Sequence, residues 1–240
     1  MKLIVGNWKS NPDTVSAAEK LALAEDYEGV VIVPPFPYLE RVKTVLQHAA
    51  LGAQDVFWEN GGPYTGEVSA NQLKDLGVSY VIAGHSERRG HIGETDDVIN
   101  KKIKSALDAG LKVILCVGEP IQIRKRGMQP SKEYITSQIK NGLRGVKKSD
   151  AKKIVIAYEP VWAVGTGIPD IPEEAAEICG YIKNLVSVAG VIYGGSVNSK
   201  NIREFLSQDD IDGALPGGAS LKPKEFQKIV EEAQSVIINS

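Results

Sequence analysis

Short apolar runs recur along the chain, separated by longer stretches with a helical repeat. The runs are Leu3–Val5, Val30–Val33, Leu51–Ala53, Tyr80–Ala83, Val113–Val117, Ile154–Tyr158, Val191–Tyr193 and Ile211–Leu215. Most are rich in β-branched residues and too short for buried helices, which is the signature of strands covered on both faces. In the last helical stretch, Phe226, Ile229, Val230, Ala233, Val236 and Ile237 form one apolar stripe. After Gly93, the residues Ile99, Ile103, Ala106 and Leu107 share a face. Glu94, Asp96 and Asp97 are expected in that helix's first turn, with Gly110 just past its end.

Eight strands, each followed by a helix, predict a parallel sheet. That count in a chain of 240 residues is what a closed (β/α)8 barrel needs, so 1–240 is read as a single α/β barrel domain. An open doubly wound sheet would carry a glycine-rich fingerprint after its first strand, and Gly6-Asn7-Trp8-Lys9-Ser10-Asn11 is not one. One connection breaks the pattern. After Gly52-Ala53-Gln54-Asp55, the segment Val56–Glu67 is long for a compact domain and carries Phe57, Trp58 and Tyr64. Burial of these aromatics against another subunit suits that composition; a loop folded back on its own barrel is the alternative.

Net charge narrows the partners. It is -2, with no basic stripe, so nothing recommends nucleic acid or a membrane. The first nine residues turn polar too quickly for a signal peptide, and no apolar run could span a bilayer. Cys116 and Cys179 lie far apart without metal-ligand spacing and read as buried small hydrophobes. A reducing, cytoplasmic setting is expected.

Barrels carry function at the C-terminal ends of their strands. The sixth strand ends in Glu159, where Pro160 closes the ladder and holds its predecessor extended. A carboxylate there, followed by the glycine-flanked Thr166, suggests either a base beneath a covering loop or a buried ion pair. Strand one delivers Asn7 and Lys9, and strand four delivers His85 ahead of Ser86-Glu87-Arg88-Arg89. A helical turn starting there would point its N-terminus at the imidazole and favour the neutral ring. Lys9 reads as a fixed charge beside a developing oxyanion. Gly194-Gly195-Ser196 and Gly217-Gly218, ending strands seven and eight, would let backbone N–H groups approach a phosphate. The set suits proton abstraction next to a carbonyl on a small phosphorylated substrate. No metal cluster or dinucleotide fingerprint is present in the sequence, so no cofactor is implied.

These residues resemble the triosephosphate isomerase family from end to end. The resemblance rests on Asn7-Trp8-Lys9, Pro34–Tyr38, Gly52–Asp55, Tyr64–Glu67, Gly84–Arg89, Cys116–Glu119, Ala157–Trp162, Gly165–Gly167, Tyr193–Val197 and Gly217–Ser220, in that order. It implies a TIM barrel that interconverts dihydroxyacetone phosphate and D-glyceraldehyde 3-phosphate. It implies Glu159 as base, His85 as neutral electrophile, and Asn7 and Lys9 beside the enediolate oxygens. Backbone amides of Gly165, Ser196, Gly217 and Gly218 would hold phosphate, with Val164 and Leu215 closing over Glu159. Ser86, Glu87 beside Lys9, and Glu119 beside Trp162 would support them. A homodimer is implied, with Tyr64-Thr65-Gly66 entering the partner's pocket near Asn7 and His85.

Five features depart from the family pattern. They are Ser10, Gly90-His91-Ile92, Ile168-Pro169-Asp170, Pro216 and a short first helix. The second implies looser packing of Arg88 and Arg89, and the third a stiffer end to the loop after Glu159. Two other readings stay open. One is a phosphate-binding lyase using Lys9 as a Schiff base, and the other is a barrel kept as a binding module.

Overall fold

The computed structural model describes residues 2–165 and 169–238. Eight parallel strands pair in chain order, and the last pairs with the first to close a barrel. They are β1 (Leu3–Asn7), β2 (Val30–Val33), β3 (Ala50–Ala53), β4 (Tyr80–Ala83), β5 (Lys112–Val117), β6 (Ile154–Tyr158), β7 (Gly190–Tyr193) and β8 (Gly213–Ala214). Side chains alternate between two apolar layers. Val5, Val31, Val33, Ile82, Ile114, Cys116, Val155, Ala157, Ile192 and Leu215 fill the barrel. Ile4, Ile32, Ile156, Tyr158 and Tyr193 pack outward against helices. This parity positions the chemistry: what turns Val155 and Ala157 inward also turns Glu159 inward.

The helices are α1 (Val15–Ala24), α2 (Leu39–Val45), α3 (Ala70–Asp75), α4 (Asp96–Asp108), α5 (Ile121–Arg124), α6 (Met128–Gly142), α7 (Pro172–Leu185), α8 (Ile202–Leu206) and α9 (Pro223–Ile238). Their starts follow local chemistry. Thr14 accepts the Ala17 N–H, Thr95 accepts the Val98 N–H, and Ser69 with Gln72 closes a reciprocal capping box. The stripe on α9 buries Phe226, Ile229, Val230 and Ala233. The side chain of Ile237 lies outside the described residues.

Three expectations need correction. Glu94 is not in the first turn of α4, because Thr95 takes the cap. Glu94 is instead buried, bonded to Arg88 at 2.5 Å and to Lys102. The eighth strand is two residues long and not five. Its bonding continues past its ends: the Leu215 N–H reaches Tyr193 O at 2.8 Å, and Pro216, which cannot donate, accepts the Asn7 N–H at 3.1 Å. Finally, Phe57 needs no other subunit to be buried. Its ring lies 4.2 Å from Trp58 and 4.8 Å from Tyr64, while the tip around Thr65 is exposed. The long connection therefore folds back at its base and stands free at its tip.

Candidate active site

Glu159 is pressed between two neighbouring strand ends. Its N–H bonds Val117 O at 2.8 Å, tying it to β5. A Cβ added to Gly118 would stand 1.7 Å from Glu159 O, and one added to Gly194 would stand 2.7 Å from Glu159 Cγ. Both positions must be glycine to leave room for the carboxylate residue. The first glycine of the strand-seven pair is thus needed for Glu159 itself, beyond any contact with an anion. The side chain is only 1% exposed. Oε2 accepts the Ser86 N–H at 3.1 Å. Oε1 lies 3.3 Å from His85 Nε2 without the alignment of a hydrogen bond and meets no other N–H or O–H donor. Beside the carboxylate lies the buried Cys116 thiol, whose proton burial and the Glu159 charge both hold in place. A buried carboxylate oxygen without a partner is costly to maintain, and such groups concentrate where chemistry needs them.

His85 precedes the helical turn expected from sequence, and that turn fixes its tautomer. The Glu87 backbone N–H donates to Nδ1 at 3.2 Å. A ring nitrogen that accepts an N–H bears no proton, so the ring's single N–H sits on Nε2 and faces the pocket.

Lys9 is, among the described residues, the one non-glycine with left-handed backbone, at φ 53°. That conformation is uncommon for a residue with a Cβ and persists only where neighbours hold it. Here the Lys9 N–H bonds Asn7 Oδ1 at 3.1 Å, while Gln54 Nε2 donates to Lys9 O at 2.6 Å and Val33 O at 3.1 Å. The Lys9 amine is ion-paired with Glu87.

A pocket of about 230 Å³ opens beside this trio, lined by Lys9, His85, Val164, Gly165, Ser196, Leu215, Gly217 and Gly218 among others. Gly218 begins a short 3-10 turn, Gly218–Leu221, whose first N–H groups have no acceptor within the turn. Across the pocket the Ser196 hydroxyl donates to Ala163 O at 2.6 Å. Behind it, Glu119 accepts Trp162 Nε1 and the Tyr158 hydroxyl, each at 3.2 Å. Burial pushes the Glu119 carboxyl above its ordinary range. Thr166, Gly167 and Ile168 lie outside the described residues.

A second cleft of about 440 Å³ shares Lys9 and His85 with the first and adds Asn7, Ser10, Gln54, Glu87, Arg88, His91 and Ile92. The structure thus brings Asn7, Lys9, His85 and Glu159 to one strand-end face. It leaves Tyr64, Thr65 and Gly66 on an exposed loop. Sequence reasoning missed Gln54 as a site residue. Gln54 follows directly on β3, so the strand-end rule would have found it.

The model of one protein family, triosephosphate isomerase, matches residues 2–233. The chain belongs to the triosephosphate isomerase family. The triosephosphate isomerase of Dictyoglomus thermophilum is 48% identical, over 96% of this chain and 98% of its own. That of Carboxydothermus hydrogenoformans is 46% identical over 95% and 97% respectively, and that of Saccharopolyspora erythraea 44% over 95% and 94%. Against this family background, Gly90-His91-Ile92 does not loosen the neighbouring arginines. Arg88 holds Asp55 at 2.8 Å as well as Glu94, and Arg89 holds Asp96 at 2.6 Å and Gly84 O at 2.7 Å. The Schiff-base reading is not favoured, because the Lys9 amine is engaged as a cation by Glu87.

Proposed function

We propose that the chain interconverts dihydroxyacetone phosphate and D-glyceraldehyde 3-phosphate by proton transfer through an enediolate, with Glu159 as base. The activity is that of the family, isomerisation of a triose phosphate. The observation that carries the residue roles is the Glu159–His85 pair. A buried carboxylate oxygen without a partner lies 3.3 Å from an imidazole nitrogen whose proton the Glu87 amide has assigned.

Glu159 takes a proton from the carbon beside the carbonyl, and the bonding pair moves into the enediolate. The His85 Nε2–H donates to the oxygen that gains charge, and the Lys9 cation stabilises that charge beside Asn7. The proton of the substrate hydroxyl passes to the former carbonyl oxygen by way of His85 Nε2, which gives its proton to one oxygen and takes one from the other. The proton on Glu159 meanwhile returns to the neighbouring carbon. No electrons or groups leave the substrate, so no co-reactant is required. The amides of Gly165, Ser196, Gly217 and Gly218 hold the phosphate, and Val164 and Leu215 form an apolar cover that excludes water.

A homodimer through the Thr65 loop is part of the proposal, supported by the exposed tip and by the open cleft at Asn7 and His85. A cytoplasmic setting is supported by two buried free cysteines. Among the described residues, no helix is long and apolar enough to cross a membrane.

The test is Glu159→Asp, which withdraws the carboxylate by about one methylene. We expect kcat to fall at least about 100-fold while inhibition by inorganic phosphate persists. Near-normal turnover would remove Glu159 from the role of base.

A further inference from the structure

The turn after β7 is held by a side chain that the proton transfer does not use. Asn201 stands immediately before α8, where an asparagine commonly caps the helix with its side-chain oxygen. That cap is not made here. The start of α8 rests on backbone instead, with the Ile202 N–H reaching Asn198 O at 3.0 Å. The Asn201 side chain turns back along the chain and uses both ends of its amide. Nδ2 donates to Ser196 O at 3.1 Å, and Oδ1 accepts the Asn198 N–H at 2.8 Å. Those atoms belong to successive peptide groups, on either side of Val197. One planar amide therefore clamps both.

What precedes the clamp makes it matter. Ser196 follows Gly194 and Gly195, the residue type with the widest choice of backbone angles, so β7 alone specifies the direction of the Ser196 N–H weakly. Gly195 has to be glycine, since a Cβ there would stand 2.1 Å from the Tyr193 hydroxyl oxygen. The direction is thus left to be set from downstream, where Asn201 holds the carbonyl of Ser196 itself. Ser196, Val197 and Asn198 all line the phosphate pocket. We propose that Asn201 is a positioning residue for the isomerase reaction, clamping the peptide groups around Val197 so that the Ser196 N–H is aimed at the substrate phosphate.

The inference rests on the reading of the Ser196 amide as a phosphate contact. Competition between inorganic phosphate and substrate in the unmodified enzyme checks that reading by itself; without it the reading falls, and the inference with it. A hydrogen bond to an anion weakens when its donor is misaligned, and the loss appears in constants that report phosphate binding. For Asn201→Ala we expect KM for glyceraldehyde 3-phosphate and the inhibition constant for inorganic phosphate to rise together. Each should rise about 10-fold, with kcat within about threefold. A second anchor of the same turn provides the control. The Ser199 N–H donates to Glu225 on α9 at 2.6 Å, a bond that involves neither Ser196 nor Asn201. Glu225→Ala loosens the turn and spares the clamp, so both constants should stay within about threefold of the unmodified enzyme. Unchanged constants in Asn201→Ala, or an equal rise in both variants, would overturn the proposal. Should Asn201→Ala not fold, Asn201→Ser supplies a strong cap for α8, while its hydroxyl stops one bond short of the amide's reach. The same two constants should rise in it, and their constancy would refute the positioning role.

Discussion

Lys9 shows how much of the site is held by bonds to backbone. Its left-handed φ sets where the side chain leaves the main chain, and Gln54 holds the carbonyl of that strained residue. Replacing Gln54 with leucine keeps the bulk but leaves the half-buried carbonyl of Lys9 without this donor, at a cost of about 1–3 kcal/mol, while Val33 O keeps the Trp8 N–H. The larger effect is on geometry, because a displacement near 1 Å at a charged group costs roughly 100-fold in rate. We predict that Gln54→Leu lowers kcat/KM by about 10- to 100-fold with an unchanged circular dichroism spectrum. Steady-state kinetics within twofold of the parent would count against this bracing role.

Among the elements, α1 is notable for how it ends. Its last turn runs into Glu25, a fully buried residue whose side chain accepts only from Trp8 Nε1, at 2.9 Å, with Oε1 unpartnered. Burial pushes the Glu25 carboxyl up to about 8, against the smaller opposing pull of the Trp8 hydrogen bond. The sign follows from linkage. The folded chain keeps this proton after the unfolded chain has lost it, so the group's contribution is fully present below the ordinary carboxylate value of 4.5 and is lost as pH rises to about 8. Within that window the slope is about 1.4 kcal/mol per pH unit. Glu25→Gln stays neutral and still accepts from Trp8. Its stability advantage over the parent should therefore grow between pH 5 and pH 8, as read by urea midpoints at fixed protein concentration. A difference that stays flat with pH would refute the assignment.

The same elements show what sequence conveys. Strands such as β6 and helices such as α4 and α9 were legible because their burial is written into local periodicity. Glu159, His85, Lys9 and the two glycine pairs were legible because they sit where strands end. Glu25 and Gln54 were not, because each depends on a partner from a distant part of the chain: Trp8 and Lys9. Glu94 differs: its acidic character fits a helix start, but Thr95 takes the cap and Glu94 turns instead to its near neighbours Arg88 and Lys102. Local pattern records which face is covered, and it does not record what two buried charges do for one another.

For the molecule as a whole, closure of the barrel brings strand ends from both termini onto one face, where two clefts share a wall. The proposed dimer would set the exposed Thr65 tip of one protomer into the second cleft of its partner. Thr65→Arg adds bulk and charge at that tip, and we predict a shift to monomers in sedimentation velocity. An unchanged sedimentation profile would exclude the loop from the interface.

The shared wall also bears on inhibitor selectivity. On the proposed reading, a phosphate mimic in the first cleft would meet the amides of Gly165, Ser196, Gly217 and Gly218, which offer little to distinguish one sequence from another. The second cleft is walled by side chains, among them Ser10, His91 and Ile92. A neutral compound seated there would reach Lys9 and His85 without carrying an anionic group, and would read side chains where a phosphate mimic reads main chain.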